Sequence, residues 1–136
     1  MHTENSWVID GFLIDSGSDA HMVPKGMFSA PIIPRPNGPK IKFELADGKI
    51  IESEGTQTLQ CETREGYVFR IQCHVAPVER PIISSGLLLN KGVSTVLGDK
   101  EQCLYTPGNM KLGLRRVKQT FILDVKASTF ARQGPQ

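Results

Sequence analysis

No stretch of this sequence approaches the roughly 20 consecutive apolar residues that a membrane-spanning helix needs. Hydrophobic residues make up 39% of the chain, which suits an ordinary globular core. No membrane partner is therefore expected. The polar start Met1-His2-Thr3-Glu4-Asn5-Ser6 lacks the charged and apolar regions of a secretory leader. Charge of one sign is lacking too. Sixteen Lys and Arg against 14 Asp and Glu leave a net charge of +2, so nothing drives the chain toward nucleic acid. Cysteine is sparse: Cys61, Cys73 and Cys103 are odd in number and show no paired spacing. That argues against a disulfide framework and for a reduced, intracellular and cytoplasmic setting. No C-x-x-C pair occurs. Cys73 and His74 are adjacent in an expected strand, where successive side chains leave on opposite faces, so neither a metal nor a cofactor is expected. Ser84-Ser85-Gly86 lacks the G-x-S-x-G frame of a serine nucleophile elbow.

What is present is punctuation. Thirteen Gly and nine Pro in 136 residues make turns frequent and long helices few. Pro31, Pro34, Pro36 and Pro39 mark an extended loop over residues 30–40. Two apolar runs, Trp7-Val8-Ile9 and Phe12-Leu13-Ile14, flank Asp10-Gly11, which has the composition of a hairpin turn. Ile41–Leu45 alternates apolar and polar residues as a half-buried strand does, and Asp47-Gly48 is a second hairpin signal. Lys49–Leu59 returns as a strand bent at Gly55. Tyr67–Val75 is the longest strand expected. Ile82-Ile83 should run as a buried strand into one short helical turn, and three short strands follow at 93–97, 102–106 and 120–125. The sum is an all-β domain with at most one short helix. It should span residues 7–126, after a flexible lead over 1–6 and before a loose polar tail over 127–136.

Chemistry concentrates in Phe12-Leu13-Ile14-Asp15-Ser16-Gly17-Ser18-Asp19. An acid that ends a run of three large apolar residues lies at the edge of the core, partly desolvated. Ser16 offers a hydroxyl, and Gly17 lets the backbone turn and approach a ligand closely. The tripeptide alone also has the composition of an ordinary turn after a strand; the apolar lead-in is what sets it apart. His21, six residues on, is expected as a hydrogen-bonded structural histidine, with tuning of the site or binding of an anion as the alternatives. Trp7 is expected to pack near the domain start, Met22 and Met27 to fill space, and Arg115-Arg116 with Lys118 to form a solvated basic face.

The segment from Trp7 to Met22 resembles the retropepsin-like aspartic proteases, above all those of copia-type LTR retrotransposons, in which an apolar strand runs into Asp-Ser-Gly with a histidine shortly after. Leu45-Ala46-Asp47-Gly48 followed by Glu54-Gly55-Thr56, then Ile82–Leu87, then Phe121-Ile122-Leu123-Asp124-Val125, are similar to further segments of that family, in the same order. Two positions depart from it: Asp19 replaces the usual copia-type Ser and matches the retroviral form, and Ser84 stands where retroviral enzymes carry Gly.

The resemblance implies a closed β-barrel of the acid-protease type with a flap hairpin. It implies Asp15 as the catalytic residue, with Ser16 bonding across a dimer axis. Gly17 and Asp19 would contact substrate main chain, and the hairpin at Asp47-Gly48 would close over the substrate. Ile82-Ile83 would pack beneath the catalytic loop. Two carboxylates sharing one proton are needed for this chemistry, one as general base on water and one to polarise the peptide carbonyl. The sequence holds one Asp-Ser-Gly, so such an enzyme must be a homodimer with its site on the two-fold axis. The expected substrate is polypeptide, its own polyprotein first. The competing function class is a non-catalytic dimerisation or peptide-binding module on the same fold.

Overall fold

Glycine and proline interrupt the chain so often that the helix α1, Ser85–Asn90, has only six residues. The computed structural model describes residues 3–45 and 47–130. Ala46 of the expected flap, residues 1–2 of the lead and residues 131–136 of the tail lie outside the described residues.

Everything else regular is strand, as the composition predicts. Nine strands form one sheet in the spatial order β1 (Thr3–Trp7), β14 (Val125–Phe130), β6 (Thr56–Thr63), β7 (Val68–Ala76), β3 (Met22–Pro24), β8 (Ile82–Ser84), β2 (Phe12–Asp15), β13 (Thr120–Leu123) and β12 (Arg115–Val117). A three-stranded sheet orders β11 (Lys111–Gly113), β10 (Gln102–Tyr105) and β9 (Ser94–Leu97). A two-stranded ladder joins β4 (Lys42–Glu44) to β5 (Ile50–Glu52). The large sheet curls into a half-barrel. Among the described residues no ladder joins its edges β1 and β12.

The curl encloses the core because the long strands alternate. On β6, Gln57, Leu59, Cys61 and Thr63 turn inward, and on β7 Ile71, Cys73 and Val75 do the same. Phe12, Leu59, Ile83 and Leu104 are almost wholly removed from water, each stabilising the fold by roughly 1.5–3 kcal/mol. The proline-rich loop is tied down from inside: Gln57 donates from Nε2 to the carbonyls of Ala30 at 2.6 Å and Phe28 at 3.2 Å. The bend expected at Gly55 separates β5 from β6. There φ is +134°, and a Cβ would lie 2.5 Å from the Ile33 carbonyl oxygen.

Several expectations change. Asp10-Gly11 does not close a hairpin. Trp7 pairs with Lys126 and Phe12 with Leu123, so three residues (9–11) face one, Asp124, and the turn is a bulge against a nearly continuous partner. Thr3–Ser6, expected as a flexible lead, is strand, and so is Ala127–Phe130, the start of the expected tail. Residues 3–6 are all polar, so no apolar alternation in the sequence announces that strand. The three-residue strands β3, β11 and β12 carry too short a pattern to read. Trp7 is 41% exposed, and the groups that pack on its ring are cations, Arg64 at 4.5 Å and Lys126 at 5.4 Å. Met27 is likewise exposed, while Met22 is buried.

Gly55→Ala should destabilise the fold by at least about 2 kcal/mol, from the positive φ and the crowded carbonyl together. Urea denaturation of the two proteins measures it.

Candidate active site

Strand β2 carries Asp15 to its C-terminal end. It pairs antiparallel with β13 on one side and parallel with β8 on the other, in the register Leu13 to Ile82, Ile14 to Ile83 and Asp15 to Ser84. The apolar run therefore anchors in the sheet and leaves its acid at the rim. Asp15 is partly buried, while Ser16, Gly17 and Asp19 are exposed. The turn places the Gly17 N–H on Asp15 Oδ1 at 2.8 Å. A Cβ on Gly17 would come within 3.3 Å of that same oxygen, so glycine is what lets the backbone close on the carboxylate. Ser18 donates from Oγ to the Ala20 carbonyl at 2.6 Å and closes the loop.

Behind the loop is a chain of polar contacts. Ser84 is 1% exposed. Its Oγ accepts from the Leu87 N–H at 3.2 Å and so caps α1. Its own N–H donates to His21 Nδ1 at 3.0 Å. The His21 carbonyl accepts from the His74 N–H at 2.8 Å, and His74 Nδ1 pairs with Ser53 Oγ at 2.8 Å. Burial lowers the His21 pKa to about 4, with the neighbouring His74 adding to the effect. Burial also lowers that of His74. Both rings are neutral near pH 7.

The hairpin expected around Asp47-Gly48 is formed, as a ladder separate from the large sheet. Phe43 faces Ile51 across the β4–β5 ladder. Beyond it the Leu45 N–H donates to the Lys49 carbonyl at 2.8 Å. Asp47 Oδ1 accepts from the Lys49 N–H at 2.9 Å, and Gly48 takes φ +85°. Asp47 and Gly48 are exposed at the tip. Phe43 and Ile51 pack with Ala20, Met22 and Ala76, and the Phe43 ring meets that of His74 edge-on at 5.0 Å. The hairpin thus rests on the same small apolar cluster as the end of the Asp15 loop.

The structure brings Asp15, Ser16, Gly17 and Asp19 together on one loop. It sets Asp47 and Gly48 on another element, and no described contact joins that tip to Asp15. A cavity of about 680 Å³ is lined by Tyr67, Phe69, Ile83, Leu88 and Leu104 with His21 at one side. Asp15 does not line it. Among the described residues no group of three His, Cys, Asp or Glu side chains is placed to hold a metal. The Asp-Ser-Gly loop presents one partly exposed carboxylate, that of Asp15, oriented by the Gly17 N–H. Sequence reasoning assigned Ile82-Ile83 to packing, and it did not foresee that Ser84 stands beside Asp15 or that His74 and Ser53 support His21. Only the parallel β2–β8 and β3–β7 pairings create those contacts.

No protein-family model, no curated protein and no solved structure matches the chain.

The lowered histidine pKa values have a sign for stability. The unfolded chain takes up protons near pH 6.5, before the folded one does, so stability is greatest above that pH and declines as pH falls toward 4. Allowing for solvent screening of a partly exposed ring, the loss is on the order of 1–2 kcal/mol. Denaturant midpoints measured from pH 7 to pH 4 test it.

Proposed function

We propose that this chain is one subunit of a homodimeric aspartic endopeptidase with a retropepsin-like fold, of the kind that processes a retrotransposon polyprotein inside the cell. The observation that carries the proposal is Asp15 itself: a single carboxylate at the exposed end of a central apolar strand, with one oxygen held by the Gly17 N–H. The curled all-β sheet and the hairpin seated beside the loop support it.

In this mechanism two chains meet about a two-fold axis and bring one Asp15 against the other. Like charges that close cannot both ionise, so the pair holds one proton. The ionised member takes a proton from a water, and the protonated member polarises the peptide carbonyl. No covalent intermediate forms. The Gly17 bond holds each carboxylate in place, and Ser16 hydroxyls tie the two loops across the axis. Substrate lies extended between the loop and the hairpin, its main chain on Gly17 and Asp19, with Asp47 and Gly48 closing over it. A cleft shared by two chains is not a cavity of one, which accounts for Asp15 lying outside the 680 Å³ cavity.

Asp15→Asn in a precursor containing this segment should lower self-processing by at least about 10²-fold. Activity per wild-type chain should fall on dilution, and an excess of the Asn variant should suppress the wild type through mixed dimers. Processing that is unchanged in the variant would leave a non-catalytic module, and activity per chain that is constant at all dilutions would exclude the shared site.

A further inference from the structure

We infer that His21 is a positioning residue: its neutral imidazole accepts the Ser84 N–H through Nδ1, braces the strand end beside Asp15, and on protonation sets the acid limit of catalysis. This inference rests on the protease reading for its activity arm alone.

The geometry leaves His21 little choice. Ser84 pairs with Asp15 in the parallel ladder, and its amide is buried. That amide has a side-chain acceptor, His21 Nδ1 at 3.0 Å. An imidazole that accepts at Nδ1 carries its proton on Nε2. Protonation puts hydrogen on both nitrogens, so the acceptor vanishes and the buried amide faces a cation. The ring is anchored at its backbone. Its residue is held through its carbonyl by the His74 N–H and is followed at once by β3, which pairs with both β7 and β8. The disturbance also reaches α1, because the Ser84 hydroxyl caps that helix. The titratable and charged groups around His21 are His74 on β7, Asp15 across Ser84 on β2, and Tyr67, Arg70 and Lys91, which line the same cavity. Burial and His74 keep the ring neutral down to about pH 4. The proposed carboxylate pair works best in acid, because it must hold one proton, and the His21–Ser84 bond fails in stronger acid. Activity is confined between the two.

Two variants separate positioning from mere folding. In His21→Asn the amide Oδ1 replaces Nδ1 as acceptor and does not titrate. In His21→Leu the acceptor is gone. His21→Asn should keep cleavage of the precursor within about threefold of wild type at its optimum and retain activity below pH 4, where wild type declines; His21→Leu should lose at least about tenfold in kcat with KM nearly unchanged. Nitrogen-15 NMR of the wild-type ring needs no activity: it should show the Nε2–H tautomer at pH 7 and a midpoint near 4. An Nδ1–H tautomer, or an acid limb of His21→Asn that superimposes on that of wild type, overturns the inference, whether or not His21→Leu folds. The expected tautomer in a chain that cleaves nothing would instead overturn the protease reading, with the bond itself established.

Discussion

The parallel pairing of β2 with β8 is the constraint on which the rest of the molecule hangs. These strands are separated by most of the domain in sequence, yet Ile14 lies beside Ile83 and Asp15 beside Ser84. Parallel neighbours need a long crossover, and here the crossover contains the proline-rich loop, the hairpin and the two longest strands. Burial of Phe12 and Ile83 provides the driving force. Once the pair forms, the acid is delivered to the rim of the sheet, β3 docks against β8, and α1 starts from a capped serine at the end of β8.

Two kinds of side chain share the work around this pair. Apolar residues secure the strand bodies, where non-directional burial suffices. At the strand ends the backbone runs out of ladder partners, and polar groups take over with directional bonds: Gly17 to Asp15, Ser84 to His21, His74 to Ser53. The Asp15 carboxylate is held by one backbone N–H and the neutral rings behind its loop are half-buried, a preorganisation that the proposed proton transfer would use. The bulge at Asp10-Gly11 serves the same end. It absorbs two residues where the chain passes from β1 to β2, and the φ of +66° at Gly11 brings the backbone against Asp124. Asp124 is in turn held by a bidentate bond from Arg115, whose guanidinium keeps that carboxyl below its usual range.

The opposite edges of the sheet are less specified. Among the described residues β1 and β12 each pair on one side, and β12 is exposed along its length. A curled half-barrel sheet with one Asp-Ser-Gly loop is what the proposed dimer would complete with a second copy of the chain.

Much of this was legible beforehand where short-range patterns carry the signal. Alternation over Tyr67–Val75, the Asp47-Gly48 turn, the bend at Gly55 and the strand-to-helix passage after Ile83 are each written within ten residues. The class of fold and the exposed Asp15-Ser16-Gly17 loop followed from them. Tertiary structure decided what no local pattern holds: that polar Thr3–Ser6 becomes an edge strand, that Asp10-Gly11 bulges instead of closing a hairpin, and that Ser84 lands next to Asp15 with His21 and His74 behind it. Strand formation depends on the period of neighbouring side chains, which one segment displays by itself. Strand partnership and register depend on which distant faces bury each other, and that is settled only when the whole chain has closed on its core.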